Sequence, residues 1–374
     1  MARNKKTKRR AVDFTLLLTI IILVFIGIIM VFSASWPEAM AKHNNDGYYF
    51  LKRQLSYAIL GFFGLIIMMN FDYRHLKRLA PLIYILSIIS GLLLFTSLGK
   101  ELKGATRWLD LKIITIMPSD IIKVGSIIFF ASFLSNKREK ITSLVHGTIP
   151  ALIYIAISCG IIVTQDLGTA VTLAGTMFAM FFVAGMKFTH LIPLGLGAGG
   201  LLWYAIHDSD HPHRIKRLTA FRDPFADKLG DGWQVVQSLY ALGSGGLFGL
   251  GLGKSRQKFF YISEAYNDFI FAIIGEELGL LGTLLVLILF MIVIWRGIII
   301  ALKVEDVFAC FLATGITALI AVQSMIHIAV VTSSIPTTGI TLPFISYGGT
   351  SLVIYMAAVG ILLNISRHAN LGRN

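Results

Sequence analysis

Charge is scarce in this chain. Only 14% of its 374 residues are Asp, Glu, Lys or Arg, against 56% hydrophobic. A water-soluble domain does not carry that balance, and the mean hydropathy of +0.76 agrees. Acids are scarcest: 20 stand against 33 Lys and Arg, a formal net charge of +13. Cysteine is nearly absent. Cys159 and Cys310 both fall inside apolar runs, so they read as small core residues and not as a disulfide or metal pair. The strand alternation of an outer-membrane barrel is missing. So is a nucleotide loop: Gly243 to Ser255 ends in GKS, but Phe248 stands where a P-loop needs its first glycine, and no strand precedes it. No His/Cys metal motif and no Ser-His-Asp arrangement emerges, and nothing points to nucleic acid.

What is present is a series of apolar runs, several of 17–25 residues, long enough to cross roughly 30 Å of hydrocarbon as helix. The chain reads as an all-α polytopic membrane protein. Ten spans are expected, near 14–32, 54–70, 82–98, 118–135, 145–163, 169–186, 191–206, 268–295, 306–331 and 346–365. Residues 1–12 form a basic tail with six Lys/Arg, 13–366 a single membrane domain, and 367–374 a second tail. The first apolar run followed by Ser33–Ser35 imitates a signal peptide but is too long for one, since such cores run about 7–15 residues. Alternate threading places 17 Lys/Arg on short segments of one side and 7 on short loops of the other. The positive-inside bias therefore puts both termini in the cytoplasm. The long segment 207–267, between spans seven and eight, falls outside.

The outer side gathers unusual chemistry. Lys254 to Gly282 runs from a basic, aromatic loop into an apolar helix, with Asp268 as the last charge before the hydrophobic run and Glu276 and Glu277 two turns deeper. Carboxylates at such positions are functional-site hypotheses, yet Asp268 with Asn267 also suits a helix cap. Glu276 lies about 12 Å deeper than Asp268 if the helix starts there. It sits about 80° round the helix and Glu277 about 180°, so a structural pairing with groups of neighbouring spans is favoured for both. Arg214, Lys216, Arg217 and Arg222 precede the glycine-rich stretch, and Lys254, Arg256 and Lys258 follow it. Lys100, Lys103, Arg107 and Lys112 occupy another outer loop. A bound polyanion such as a lipid pyrophosphate explains the cluster; attraction to anionic head groups of membrane lipids is the plainer account. Lys123, inside a span, needs an internal partner, and Asp120 three residues earlier can supply one. The stretch His207–Arg217 (HDSDHPHRIKR) holds three His and two Asp without the spacing of a known metal site. Trp233–Gly243 reads as a helix too short to span. The glycines of 243–253 permit close backbone approach or mobility. Ser333–Ser351, SSIPTTGITLPFISYGGTS, is non-helical backbone tolerated at membrane depth only when buried in protein or lining a wet cavity. Thr164–Thr169, TQDLGT, is a short outer turn with a lone acid, Asp166.

These residues resemble the SEDS family, the FtsW/RodA/SpoVE proteins of bacterial wall synthesis. The likeness rests on GATRWLDL with MPSDIIK, on QDLGT, on the block from AFRDPFADKLGDGW to IIGEELGLLG, and on PTTGITLPFISYGGTS. It covers nearly the whole chain and is nearer the FtsW and SpoVE branch. It implies a peptidoglycan glycosyltransferase that polymerises lipid II outside the bacterial cytoplasmic membrane, in division or spore wall synthesis. A class B penicillin-binding protein is the implied partner. By resemblance, Asp268 of the E-A-x-x-D-F-I-F element is the catalytic residue, Arg107 is the Arg of the R-W element and Lys123 the Lys of P-S-E-x-x-K. Asp120 stands for the usual Glu, one methylene short; Gln165, His327 and Ser333 are local departures. Asp268 is expected as general base toward the acceptor hydroxyl. Arg107, Lys123, Asp120, Arg217, Arg256, Lys258, Glu264, Ser346, Tyr347, Gly348 and Gly349 are the expected substrate contacts, the basic ones stabilising the departing pyrophosphate. No cofactor is indicated by the sequence, although a divalent cation, Mg or Mn, would be able to assist. A lipid flippase would use the same charges but spread them through the membrane depth; a scaffold recruiting a transpeptidase would not need Lys123.

Overall fold

The computed structural model describes residues 11–370, except 103–104, 111–114, 165, 188, 190–196, 198, 201–202, 204–212, 228–229 and 231. Eleven α-helices are numbered here in chain order: α1 Phe14–Lys42, α2 Tyr49–Asn70, α3 Tyr73–Leu92, α4 Pro118–Asn136, α5 Ile149–Val163, α6 Leu167–Val183, α7 His213–Arg222, α8 Trp233–Ser244, α9 Ile270–Lys303, α10 Val307–Val331 and α11 Thr350–Ser366. A small antiparallel sheet, β1 Gly99–Leu102, β2 Ala105–Asp110 and β3 Thr115–Ile116, joins α3 to α4. Among the described residues, seven helical segments are long and apolar enough to cross a membrane, and α6 and α11 are shorter apolar helices. Most of the span expected at 191–206, and most of the histidine-rich stretch, lie outside the described residues. The short helix expected from Trp233 is α8.

Several boundaries differ from the sequence reading. The first span was expected to stop at Phe32, but α1 runs on through a buried Pro37 to Lys42. Ala34, Ser35 and Ala39 are buried, so small side chains there let the helix pack against its neighbours. At 1.5 Å per residue its 29 residues span about 43 Å, beyond the hydrocarbon core. The basic stretch before the third expected span is itself helical: Asp72 caps α3 through the Arg74 N–H at 2.9 Å, and the cations occupy the first turns.

The largest departure is in α9. Its backbone leaves helical geometry at Gly279, with φ 67° and ψ −162°, a region open essentially to glycine alone. A break inside a span strands backbone groups, which hydrocarbon does not tolerate unsatisfied. The glycine-rich segment after α8 supplies the partners. Leu250 and Gly251 N–H donate to the Glu276 and Glu277 carbonyls at 2.9 and 3.0 Å, while Leu280 and Leu281 N–H donate to Gly246 and Leu247 at 2.9 and 3.2 Å. A carbon added to Gly249 would lie 2.2 Å from the Glu277 carbonyl oxygen. Close backbone approach, one of the two expectations for these glycines, is what the structure uses them for.

α4 and α10 are the most enclosed of the spanning helices. At the end of the bundle holding the start of α1, Asp13 caps that helix and accepts from Arg296 Nε at 2.8 Å. Tyr73 OH donates to Asp306, the cap of α10.

Candidate functional site

Asp268 does not cap the helix that follows it. α9 begins at Ile270 and its N-cap position is Phe269. Instead, the chain before Asp268 is latched to the SYGG segment. Tyr347 N–H donates to the Tyr266 carbonyl at 3.0 Å, and Ser346 Oγ donates to the Asn267 carbonyl at 2.8 Å. Ser346 Oγ also accepts from Leu342 N–H, and Asn267 N–H donates to the Glu264 carbonyl. Tyr347 packs its ring edge-on to Phe50 and Tyr266. Burial pushes its phenol pKa up, and the neighbouring Arg53 opposes this. Ser346 and Tyr347 thus hold the acid's backbone in place. Gly349, with φ 52°, is the N-cap of α11, and Gly348 lies close against Ser351.

Asp268 and Arg107 both approach Gly339. A carbon added to Gly339 would stand 3.4 Å from Asp268 Oδ2 and 3.7 Å from Arg107 Nη1, so the two side chains approach within about 7 Å. Arg107 comes from β2, and its Nη1 is 3.7 Å from Asp166 Oδ2. Asp166 is the N-cap of α6, accepting from Thr169 N–H at 3.1 Å through its other oxygen. Gly168 completes the junction: a carbon there would meet Thr338 at 2.8 Å. β2, the start of α6, the 338–340 turn and the 266–268 segment therefore meet at one place. Among the described residues, Asp166 Oδ2, Asn267 Oδ1, His327 Nε2 and Thr338 Oγ1 are buried there without a hydrogen-bond partner. Orphaned polar atoms are rare in interiors, and three on these segments, with His327 of α10 bonded to Ile340 beneath them, suit a site that receives a polar ligand.

A second polar layer runs beneath. Lys123 Nζ lies 2.7 Å from Asp120, 2.9 Å from Gln323 Oε1 and 3.0 Å from Tyr355 OH. Ser351 Oγ donates to Asp120 and Tyr355 OH to Gln323. An ammonium has three donors, and all three of Lys123's have acceptors. The expected Asp120–Lys123 pair is present, but it faces the protein interior. Gln323 Nε2 donates to the Thr341 carbonyl at 2.9 Å, and His327 Nδ1 is 2.7 Å from the Ile340 carbonyl. This layer thereby supports the turn that carries Gly339.

A third cluster corrects two expectations. Glu276 and Glu277, expected to face apart, both reach the loop Ser255–Lys258. Glu276 accepts from Arg256 N–H at 2.9 Å, Gln257 N–H at 3.3 Å and Ser255 Oγ. Glu277 accepts from Ser33 Oγ at 2.7 Å, Ser255 N–H at 3.3 Å and Lys258 Nζ at 2.9 Å. Neighbouring helical residues point about 100° apart, and a single loop packed on the helix covers that arc. Lys258, expected as a phosphate contact, is only 6% exposed. The structural pairing expected of the glutamates is present. Arg256 and Lys254 are exposed, and Glu264 sits at φ 53°. Arg217 lies in α7, its side chain outside the described residues.

Asp166 and Gly339 were visible in sequence only as a lone acid and one glycine of a turn. Gln323, Tyr355 and Ser351 had the faint signal of polar groups inside spans. Among the described residues no group of three or more His, Cys, Asp or Glu is placed to hold a metal.

The arrangement defines a polytopic helical membrane protein with a carboxylate–guanidinium site where the loops between its spans meet. The chain belongs to the FtsW/RodA/SpoVE family of cell cycle proteins, whose model matches residues 14–371. It is 45% identical to stage V sporulation protein E of Bacillus subtilis, covering 97% of this chain and 99% of that one. It is 42% identical to a probable peptidoglycan glycosyltransferase FtsW of Trichlorobacter lovleyi, over 95% of this chain and 93% of the relative. Among solved structures it superposes on a chain of a peptidoglycan synthase complex that coordinates polymerization and crosslinking, with a TM-score of 0.79 and 26% identity over 97% of this chain and 99% of that chain. It also superposes on the Rod shape determining protein RodA of Thermus thermophilus, with a TM-score of 0.71 and 25% identity over the same shares.

Proposed function

We propose that this protein is a peptidoglycan glycosyltransferase polymerising lipid II at the outer face of the bacterial cytoplasmic membrane, in division or spore wall synthesis. The observation that carries the proposal is that Asp268 and Arg107 both come up against Gly339, within about 7 Å of each other. In this reading the membrane domain covers 13–366 with ten spans, the loop 207–267 is extracytoplasmic and both termini are cytoplasmic. The charge bias of the loops supports that orientation.

The acceptor is the 4-hydroxyl of the terminal N-acetylglucosamine of one lipid II; the donor is a glycan joined to lipid pyrophosphate. Asp268 takes the hydroxyl proton as the oxygen attacks the donor's anomeric carbon. The bond from that carbon to the phosphate oxygen breaks, and the pyrophosphate leaves with the electron pair. Arg107, held by Asp166, stabilises that charge; its planar fork suits phosphate oxygens. Arg256, exposed on the loop before Asp268, is the next candidate for the same anion, with Arg217 of α7 as a further one. Glu264, Gly348 and Gly349 border the acceptor. Lys123 and Asp120 act from beneath, by holding the 339–341 turn. A divalent cation would have to draw most of its oxygens from substrate and water. A class B penicillin-binding protein is the partner transpeptidase, and anionic membrane lipids surround the basic loops.

The test is Asp268→Asn. Purified with its transpeptidase and given lipid II, the variant folds and makes no glycan strands. Polymerisation at the wild-type rate by that variant removes Asp268 from the role of base.

A further inference from the structure

Lys258 lines a cavity of about 520 Å³ between α1 and the loop after the glycine-rich segment, with Ile29, Phe32, Trp36, Leu252 and Phe259 as apolar walls. Its position there suggests a ligand contact, but its bonding does not. The ammonium donates to the Gly253 carbonyl at 2.7 Å, to Glu277 at 2.9 Å and to Ser33 Oγ at 3.1 Å. Three donors meet three acceptors, and the side chain is 3% exposed against a Glu277 side chain at 0%.

The same cluster grips the loop that ends in Asp268. Its first residues are held by Glu276 and Glu277, which take the N–H groups of Ser255, Arg256 and Gln257. Its far end is held by Tyr266, whose hydroxyl donates to Glu38 at 3.3 Å and whose ring packs against Phe50 at 4.6 Å. Ser33 and Glu38 both belong to the outer part of α1, beyond the expected end of that span. The loop is thus pinned near both ends to one helix, and the Glu276–Glu277 anchor sits at the turn before the Gly279 break, where the backbone is already fixed by the glycine segment.

We propose that Lys258, Glu277 and Ser33 form a positioning clamp for Asp268: they set the geometry of the acid through the 254–268 loop and touch no substrate. The proposal rests on the catalytic reading of Asp268 only in what it predicts for turnover. Removing one charge leaves its partner buried and uncompensated, whereas removing both does not.

Three variants decide it. Lys258→Met lowers kcat for lipid II polymerisation by about tenfold or more and leaves KM within about twofold, the pattern of a misplaced acid and not of a lost ligand contact. Lys258→Met combined with Glu277→Gln carries no orphan charge, and the amide oxygen still accepts from Ser33 Oγ and Ser255 N–H, so the clamp persists in part and kcat recovers to within about threefold of wild type. The third, Ser33→Ala, is mild enough to fold and is read without turnover. Amide hydrogen exchange in residues 263–268 speeds up by about tenfold while α10 is unchanged. A double variant as inactive as Lys258→Met and with raised KM makes Lys258 a substrate ligand and overturns the clamp. So does unchanged exchange in Ser33→Ala, even for a preparation in which no polymerisation is detected.

Discussion

Asp166 serves two ends at once: one carboxylate oxygen caps α6 at Thr169 N–H, 3.1 Å away, and the other stands 3.7 Å from Arg107 Nη1. The two duties separate by substitution. Asn caps a helix about as well as Asp, so Asp166→Asn keeps α6 and removes only the charge that orients Arg107. The expected outcome is a fall of about tenfold in polymerisation, equivalent to about 1.4 kcal/mol of transition-state stabilisation, with the thermal midpoint nearly unchanged. Asp166→Ala loses the cap as well and costs about 1 kcal/mol of stability. Activity and thermal unfolding measured on the same preparations check both.

Gly339 is the spacer between acid and cation. Its φ of 70° is left-handed, where a side chain costs about 1–2 kcal/mol. The added methyl of Gly339→Ala would make ordinary contacts with Asp268 and Arg107, so the protein still folds. In the proposed mechanism the methyl occupies space that the reacting groups use. Turnover is expected to fall at least as far as in Asp166→Asn, while the midpoint drops by only a few degrees. Wild-type turnover in this variant would place the reaction elsewhere.

The spanning segments and Asp268 were readable because each has a local cause: a run of apolar residues, or a charge where a run begins. The clamp and the break were not. Gly279 is one of 35 glycines, and nothing near it in sequence says that its φ is positive. What fixes the break is a segment some thirty residues earlier, whose backbone supplies the missing hydrogen bonds. Non-local pairing of this kind leaves no periodic trace. Hydropathy is equally blind to which apolar face meets protein and which meets lipid, because both solvents are apolar. That is why α1 was cut short at Phe32: Ser33 and Glu38 look like the start of a loop until their partners Lys258, Glu277 and Tyr266 are seen.

Asp120 and Lys123 form the deepest ion pair of the described residues in α4, with side chains 3% and 4% exposed. Asp120→Asn removes the countercharge and leaves the ammonium with neutral acceptors only. Breaking a buried pair in this way costs about 3–5 kcal/mol, and it is expected to appear as a large drop in thermal midpoint along with lost activity. Asp120→Glu keeps the charge but adds a methylene beside Ser351, at about 1–3 kcal/mol. If Asn were tolerated as well as Glu, the pair would not be holding α4, α10 and α11 together.

Gly279→Ala tests the break in α9 directly. The residue occupies a backbone region that costs a non-glycine residue about 1–3 kcal/mol, and the new carbon would lie 2.3 Å from the Gly249 amide nitrogen. Two relaxations are open. The helix can straighten, which returns the Leu280 and Leu281 N–H groups to intrahelical partners but strands the Gly246 and Leu247 carbonyls that now accept from them. Alternatively the glycine segment can withdraw, which strands the Glu276 and Glu277 carbonyls within the membrane. Either way two or more backbone groups lose partners, at about 1–3 kcal/mol each when buried. Gly279→Ala is therefore expected to destabilise more than Gly339→Ala despite the similar φ of the two glycines, and to raise amide exchange at Leu250 and Gly251 first. Exchange at those two amides that matches wild type, together with an unchanged midpoint, would mean that the glycine segment does not bond the broken helix in the membrane.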